Sequence, residues 1–442
     1  MSEAQVNSVK KIAAAGICSS CGICKSVCPQ SCITYVREKG RYIPAVDEKC
    51  CVNCGLCLKV CPGLEMVFPE KSEPVGAIVG DFKVFVNAWT GKADLRHLSA
   101  SGGVVSTIVE SLLKRSIYDT AFCVDSYTYE SQLKTRPVAA GDLPESWTDS
   151  NCPKSRYLAV SHENAVSYIT ANRDKRVILI GTGCAIQGFR KLIQAFHLSA
   201  DQYLLIGLFC DKVFNYNVNA YFQDRFGQGK KITALHFKNK ESGGWPGDMK
   251  IFYEDGSYDY QPQKERTAVK DYFMPERCLY CIDKLNAQAD ISIGDNFTNT
   301  ASSALGSNSV LIRTSRGEKA WEYVRNNLEY VPCDIEELKK AQYLDGRVNH
   351  LYYAALKAQE IQKITGESYN LNKGVYMKDY PGDYDIAWQR MRKRIEAGSG
   401  YKENPDLLTY QISLDERRKN PKDPLVIKER ILNAIKRRIK KL

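Results

Sequence analysis

The chain is poor in histidine, and the little it has is not arranged for catalysis. Five histidines in 442 residues include no H-E-x-x-H pair, which excludes the helical zinc-hydrolase arrangement. No G-x-S-x-G turn offers an esterase nucleophile, and no P-loop offers a triphosphate cradle. No apolar run approaches the roughly 18 residues of a membrane span. The opening MSEAQVNSVKKIAAAGI lacks a secretory h-region. Basic charge is missing from most of the molecule. The formal charge is +11, yet residues 417–442 hold 11 Lys and Arg against Asp423 and Glu429, so the rest is nearly neutral. Nucleic-acid binding by the main body is therefore not expected.

What is abundant is cysteine, 17 in all, in no disulfide-scaffold pattern. Cys18, Cys21, Cys24 and Cys28 follow the spacing C-x2-C-x2-C-x3-C and are closed by Pro29. Cys51, Cys54, Cys57 and Cys61 repeat it, closed by Pro62. This is the bacterial two-cluster ferredoxin run, in which the fourth cysteine of each run serves the other 4Fe–4S cluster. One cluster is expected on Cys18, Cys21, Cys24 and Cys61, the other on Cys51, Cys54, Cys57 and Cys28. The rival is a pair of zinc knuckles, which predicts two ligand pairs split by a loop rather than four cysteines in one tight run. Cys32 and Cys50 fall outside the register and read as packing cysteines. Clusters need a reducing compartment, so the expected location is the cytoplasm.

Residues 1–70 form this ferredoxin domain, with a hairpin predicted around Lys39 and Gly40. Residues 68–80 carry two prolines and read as a linker. Within residues 81–160, strands are predicted over 82–89 and 118–124, and a helix over Val104–Lys114. Residues 165–340 show the strand-then-helix rhythm of α/β structure: strands over 176–180 and 203–209 flank a helix over 186–195. Residues 341–442 are polar and helix-rich, with no chemistry assigned. Four more cysteines fall at suggestive places. Cys184 lies at a strand-to-helix turn, Cys210 at the end of the next strand, and Cys278 and Cys281 form a C-x2-C. Strand ends converge in open α/β sheets, and four thiolates suit a third 4Fe–4S cluster. Spacing alone leaves open that they are unrelated, with Cys278 and Cys281 a redox pair.

Several segments, in this order, carry a resemblance: Ser101-Gly-Gly103 before a helix, Lys154-Ser-Arg-Tyr157, Gly181-Thr-Gly-Cys184 with Gly188-Phe-Arg190, Cys210, Lys240 through Trp245, Arg277-Cys278-x2-Cys281, Ala289 through Asp295, and Val310 through Gly317. From about residue 95 to 330 the chain resembles the family of coenzyme F420 hydrogenase/dehydrogenase beta subunits, in a form with a fused N-terminal ferredoxin. The resemblance implies an iron–sulfur flavoprotein that passes electrons between a redox protein or the deazaflavin coenzyme and a second substrate, small or lipid-linked. It favours the third cluster on Cys184, Cys210, Cys278 and Cys281. It also implies bound FAD, with Ser101, Gly102 and Gly103 as a phosphate cradle at a helix start. Lys154, Ser155 and Arg156 would neutralise phosphate, and Asp295 would lie at the ribose or the ring. Read without the resemblance, the Ser-Gly-Gly is an ordinary loop, the Lys-Ser-Arg a solvated one, and Asp295 a turn cap. Three departures fall around this region: Gly183 for the family's Pro, Asp211-Lys212 for His-Gly, and Asn296-Phe297 where an aromatic pair ending in Trp is usual.

The fold class expected is thus α+β with α/β, multidomain: a two-cluster 4Fe–4S ferredoxin domain, a mixed α/β iron–sulfur flavoprotein domain and a helical C-terminal region. The function expected is that of an oxidoreductase; the alternative is a non-catalytic electron-transfer subunit. At the C-terminus, Ile427, Ile431, Ile435 and Ile439 are spaced by four among Lys428, Arg430, Lys436, Arg437, Arg438, Lys440 and Lys441. Such a basic amphipathic helix either lies on an anionic membrane surface, at its cytoplasmic face, or packs on the protein's own body.

Overall fold

The structure, a computed structural model, describes residues 7–125, 129, 131–149, 151–375 and 384–439, with side chains for all of these but 430 and 433–439. The strands run β1 Ile33–Glu38, β2 Arg41–Val46, β3 Met66–Val67, β4 Val84–Thr90, β5 Thr120–Val124, β6 Leu133–Val138, β7 Val160–Ser161, β8 Val177–Thr182, β9 Tyr203–Leu208, β10 Ile232–Asn239, β11 Asp248–Tyr253, β12 Tyr258–Gln261, β13 Ile291–Asp295, β14 Asn308–Ile312, β15 Leu328–Pro332 and β16 Asn372–Lys373.

The cysteine-rich start shows its internal repeat in the backbone. Each run places a glycine between its second and third cysteines, Gly22 (φ 80°) and Gly55 (φ 69°). Each glycine starts a one-turn helix, Ile23–Ser26 or Leu56–Lys59. Between them β1 and β2 pair antiparallel from Ile33↔Val46 to Glu38↔Arg41. Lys39 and Gly40 both take positive φ, the turn geometry whose twist matches a two-residue hairpin. The hairpin tip docks on the rest of the chain, where Gly40 O accepts from Tyr216 N at 2.6 Å.

The main sheet has nine strands in the order β15-β4-β14-β13-β9-β8-β5-β6-β7. Its centre, β13-β9-β8-β5, is parallel; β14, β4 and β15 add antiparallel pairs on one side. Side chains alternate between faces, as strand geometry requires. Ile178, Leu204 and Ile206 join the helices Val104–Lys114 and Ser315–Val324 in one core. Val177, Leu179, Tyr203 and Leu205 join the helix Gly183–Ala195 in another. That second core also takes in Cys21, Ile23, Val27 and Val60, so the cysteine-rich N-terminal unit is joined to the sheet by shared apolar burial. Each large apolar side chain so buried contributes about 1.5–3 kcal/mol. Gly188 permits the approach: a Cβ there would stand 2.3 Å from Ile23 Cδ1.

A separate three-stranded sheet, β10-β11-β12, packs through Leu235, Phe237, Met249 and Ile251 on Phe214, Phe222, Phe273, Tyr401 and Leu408. The C-terminal helices Tyr384–Ser399 and Pro405–Lys419 close this core. The stretch expected as a linker is instead ordered. Pro74 opens a helix, Pro74–Val79, at its first position, where the missing N–H costs nothing. Its Ala77, Ile78 and Val79 bury against Phe85, Leu285, Leu311 and Leu338.

Arg313 ties that helix to the sheet. Its guanidinium donates to Ser292 Oγ (2.6 Å), Val79 O (2.8 Å), Asp81 O (2.9 Å) and Leu285 O (2.9 Å) from a buried position. Arg313→Met leaves these acceptors unsatisfied. Urea unfolding is expected to show a loss of about 3 kcal/mol; a loss under about 1 kcal/mol would mean that water replaces the donor.

Candidate functional site

The eight N-terminal cysteines gather in two sets that interleave the runs. Cys18, Cys21 and Cys24 are buried, and each feels the charge of Cys61 from the other run. Burial, then these neighbours, pushes the thiols up, Cys18 to about 12. Cys28, Cys51, Cys54 and Cys57 line one small cleft, with Pro29, Val52 and Gly55. Thiols that resist ionisation because they are buried together suit a cationic metal–sulfur core between them, since only thiolates ligate. Among the described residues, no three His, Cys, Asp or Glu side chains are gathered around a single-ion site. Cys32 is buried with its Sγ 3.3 Å from Cys28 Sγ. Cys50 is exposed, which corrects its reading as a packing cysteine: it lies in the turn between β2 and the second run, on the solvent side of that turn rather than beneath it.

The four central cysteines also come together. Cys184 lies in the first turn of Gly183–Ala195, directly after β8. Cys210 follows β9, its N–H donating to Lys284 O at 2.9 Å. Cys278 lies on the one-turn helix Glu276–Leu279, and Cys281 just beyond it. Cys210 feels Cys278, Cys184 and Cys281, and Cys278 feels Cys281 and Cys184. Burial first, then these charges, pushes Cys278 to about 12. The departure at Gly183 has a local cause: a Cβ there would stand 2.4 Å from Oδ2 of the buried Asp283. Cys184 in turn acts on Cys18 and Cys21, so the inner ferredoxin set and the central set are neighbours.

At the carboxyl end of β13 lies a buried cluster of cationic side chains. Asp295, the last residue of that strand, is held by Lys238 in a short ion pair. Burial opposes the charge on Lys238, but Asp295 prevails and the ammonium is held above its ordinary range. Lys154 is paired to Asp149 at 2.9 Å and donates to Leu98 O at 2.5 Å. Lys250 bridges Asp149 (3.2 Å) and Glu241 (2.9 Å). Arg156 acts on His236, and Arg266 on Lys238. Cations thus outnumber carboxylates here, a surplus that suits an anionic ligand. Ser155 is half-buried beside Lys154.

The Ser-Gly-Gly loop borders this cationic cluster but is packed into protein. Ser101 Oγ donates to Ser307 O at 2.7 Å. A Cβ on Gly102 would stand 2.8 Å from both Ala88 O and Asn308 Oδ1. The helix start is occupied, since Asn308 Oδ1 accepts from Val104 N at 3.4 Å. The loop meets the cationic cluster through Lys240, which donates to Ser101 O (2.9 Å), Leu305 O (2.7 Å) and Arg96 O. Sequence reasoning does not single out Lys238, Lys250, His236 or Arg266. The available signal is the basic run His236, Lys238, Lys240 at the end of β10, with Lys250 opposite His236; a register irregularity between His236 and Asn239 breaks the simple alternation of faces there.

Lys240 is pushed down to about 7, by burial first and then by Lys154 and Arg96; Cys152 and Asp295 act the other way. Because the folded-state value is lowered, its charge costs stability in full below about pH 7, and the cost fades as pH rises toward the ordinary lysine range. An anion beside it reverses the preference. Sulfate, which does not titrate in this range, is expected to bind more weakly as pH rises from about 6 to about 8. Calorimetry should find the profile flattened in Lys240→Met; an equally steep profile there would refute the assignment.

Two family profiles match the chain in succession. Residues 85–166 match the N-terminal profile of coenzyme F420 hydrogenase/dehydrogenase beta subunits, and residues 174–336 match the C-terminal profile of the same proteins. A coenzyme F420-dependent sulfite reductase of Methanocaldococcus jannaschii is 25% identical over 358 residues, covering 76% of this chain and 50% of that protein. A component of the F(420)H(2) dehydrogenase of Methanosarcina mazei is 23% identical over 317 residues, covering 71% and 84%. The chain spans about half the length of the first of these. A chain of the F420-reducing [NiFe] hydrogenase complex from Methanosarcina barkeri superposes with a TM-score of 0.48 at 18% identity, over 68% of this chain and 98% of that one. The two profiles together span more than half of the sequence, and the chain belongs to the family of coenzyme F420 hydrogenase/dehydrogenase beta subunits.

Proposed function

We propose that this chain is an iron–sulfur flavoprotein oxidoreductase that carries electrons between a surface-facing ferredoxin cluster and a buried flavin. Cys28, Cys51, Cys54 and Cys57 hold the outer 4Fe–4S cluster, and Cys18, Cys21, Cys24 and Cys61 the inner one. Cys184, Cys210, Cys278 and Cys281 hold a third. The observation that carries the reading is the adjacency of Cys184 to Cys18 and Cys21, which makes the three sets a continuous row. At its far end the cationic cluster of Lys154, Arg156, Lys238 and Lys240 holds the phosphates of a flavin, read as FAD, with Ser155 at its rim. Ser101, Gly102 and Gly103 support it by presenting Ser101 O to Lys240. Asp295 fixes Lys238. A flavin there supplies the exchange between one-electron carriers and two-electron chemistry. The redox partner is a protein or the deazaflavin coenzyme, and the further substrate small or lipid-linked.

A second reading has its own support. The sulfite reductase relative is matched over half its length only, which favours a carrier portion whose chemistry is completed by a separate protein. In that case a stoichiometric partner should co-purify.

Anaerobically purified protein is expected to hold about twelve irons, four per cube. Cys184→Ala, Cys210→Ala and Cys281→Ala should each lose the same four while the ferredoxin spectrum persists. About eight irons in the parent protein, or full retention in these variants, would remove the third cluster.

Among the described residues no helix is long and apolar enough to cross a membrane. The helix Pro424–Ile439 faces the body through Glu429, paired to Arg390 and Arg418 at 2.7 Å each. It leaves Ile427, Ile431 and Leu432 exposed; Ile435, Ile439 and most of the basic face lie outside the described side chains. An apolar stripe left open beside Lys428 suits an anionic lipid surface. Full-length protein should float with anionic vesicles at low salt, and a chain ending at Asn420 should not; failure of both to float would discard the contact.

A further inference from the structure

Arg277 stands immediately before Cys278 and is 3% exposed. Its Nη2 donates at 3.4 Å to the carbonyl of Pro62, the residue after Cys61. Its Nε and Nη1 are buried with no hydrogen-bond partner among the described residues. A guanidinium buried this way costs several kcal/mol unless negative charge faces it. The groups that feel its charge include Cys61 and Cys184, one from each neighbouring cysteine set. Each of the other cations near these sets acts on one set only: Arg41 on Cys18, and Lys191, ahead of Arg277, on Cys61. Lys191 donates to Cys61 O at 3.2 Å and to Glu65 O at 2.8 Å, and Arg347 acts on Cys210 and Cys278 only from the central side.

We propose that Arg277 is a positioning residue shared by the inner ferredoxin cluster and the central cluster, its unpartnered guanidinium edge facing the thiolates of both and favouring the reduced form of each. The proposal rests on reading both sets as 4Fe–4S sites. One electron added to either cluster makes its ligand cage more negative, and a fixed cation in a buried site stabilises that charge strongly. Because one side chain serves both, its charge raises the two potentials together. A purely structural role, holding Pro62 O in place, predicts instead that the potentials are indifferent to the charge.

The test is an anaerobic potentiometric titration of the full-length holoprotein, followed by electron paramagnetic resonance, on the parent chain, Arg277→Met and Arg277→Lys. Cys281→Ser identifies the central signal by its loss, and Cys57→Ser the outer one. Arg277→Met should keep its iron and sulfide, shift the inner and central midpoints together to lower potential, and leave the outer midpoint in place. Arg277→Lys should recover part of both shifts. If Arg277→Met does not retain its iron, Arg277→Gln takes its place with the same expectation. Unmoved potentials, or movement of the central site alone, overturn the shared role while leaving the clusters intact. A parent protein with only about eight irons overturns the cluster reading itself, which is seen in the iron count before any potential is measured.

Discussion

Burial of cysteine sulfur atoms beside one another is the constraint on which this structure depends. Twelve cysteines are drawn into three neighbouring sets, and burial makes the thiolates of Cys18, Cys21, Cys24 and Cys61 and of Cys184, Cys210 and Cys278 expensive. A protein can keep such sets only by providing positive charge or by holding a metal–sulfur core whose irons are that charge. Both devices fit here. Arg277 and Arg347 reach the sets as nearly buried guanidinium groups. The thiols of Cys18, Cys21 and Cys24 lie too deep for solvent to relieve them. The interleaving of the runs follows from the same constraint, because a cage closed by Cys61 cannot form until the second run has folded against the first.

Docking of the N-terminal unit then sets how two of these cysteine sets lie relative to each other. The helix Gly183–Ala195 carries Cys184 at its start, and its Ala185, Ile186 and Phe189 share one core with Cys21, Ile23 and Val60. Apolar burial therefore sets the spacing between the inner and central cysteine sets, and Gly188 keeps that spacing short. His162 adds a polar tie, donating its backbone N–H to Cys21 O at 2.8 Å.

The sequence makes some of this plain and hides the rest for physical reasons. The cysteine runs and the hairpin at Lys39-Gly40 are encoded locally, in spacings of two and three residues, so they are legible. So is the helix Val104–Lys114, whose apolar face is periodic. Convergence of Cys184, Cys210, Cys278 and Cys281 depends on neighbouring parallel strands ending at one edge, which only topology can supply; spacing leaves it open and the family resemblance tips it. Pro74 reads as a breaker because proline interrupts helices, yet at the first helical position it starts one. Cys50 reads as a buried thiol on its residue type alone, and residue type does not place it. The cationic cluster is half visible: Lys154, Arg156 and Asp295 fall in segments with a family signature, whereas Lys238 and Lys250 arrive from a separate small sheet whose docking has no local signature.

The C-terminal helices, to which the sequence assigns no chemistry, hold the Cys278–Cys281 turn. Tyr280, between the two cysteines, donates to Glu276 Oε1 at 2.5 Å and accepts from Trp388 Nε1 at 3.4 Å. Its carbonyl accepts from Asn372 Nδ2 at 2.9 Å. Lys357 reaches Glu276 at 3.4 Å, and Arg347 reaches Asp211, the neighbour of Cys210, at 3.3 Å. Ligands to a metal centre keep their geometry only when the residues behind them are fixed. A one-turn helix such as Glu276–Leu279 cannot fix itself, because it closes too few backbone hydrogen bonds to offset its own ordering. Lys357, Asn372 and Trp388 therefore act on the Cys278–Cys281 turn from outside it, and make rigid a pair of cysteines that the main sheet does not carry.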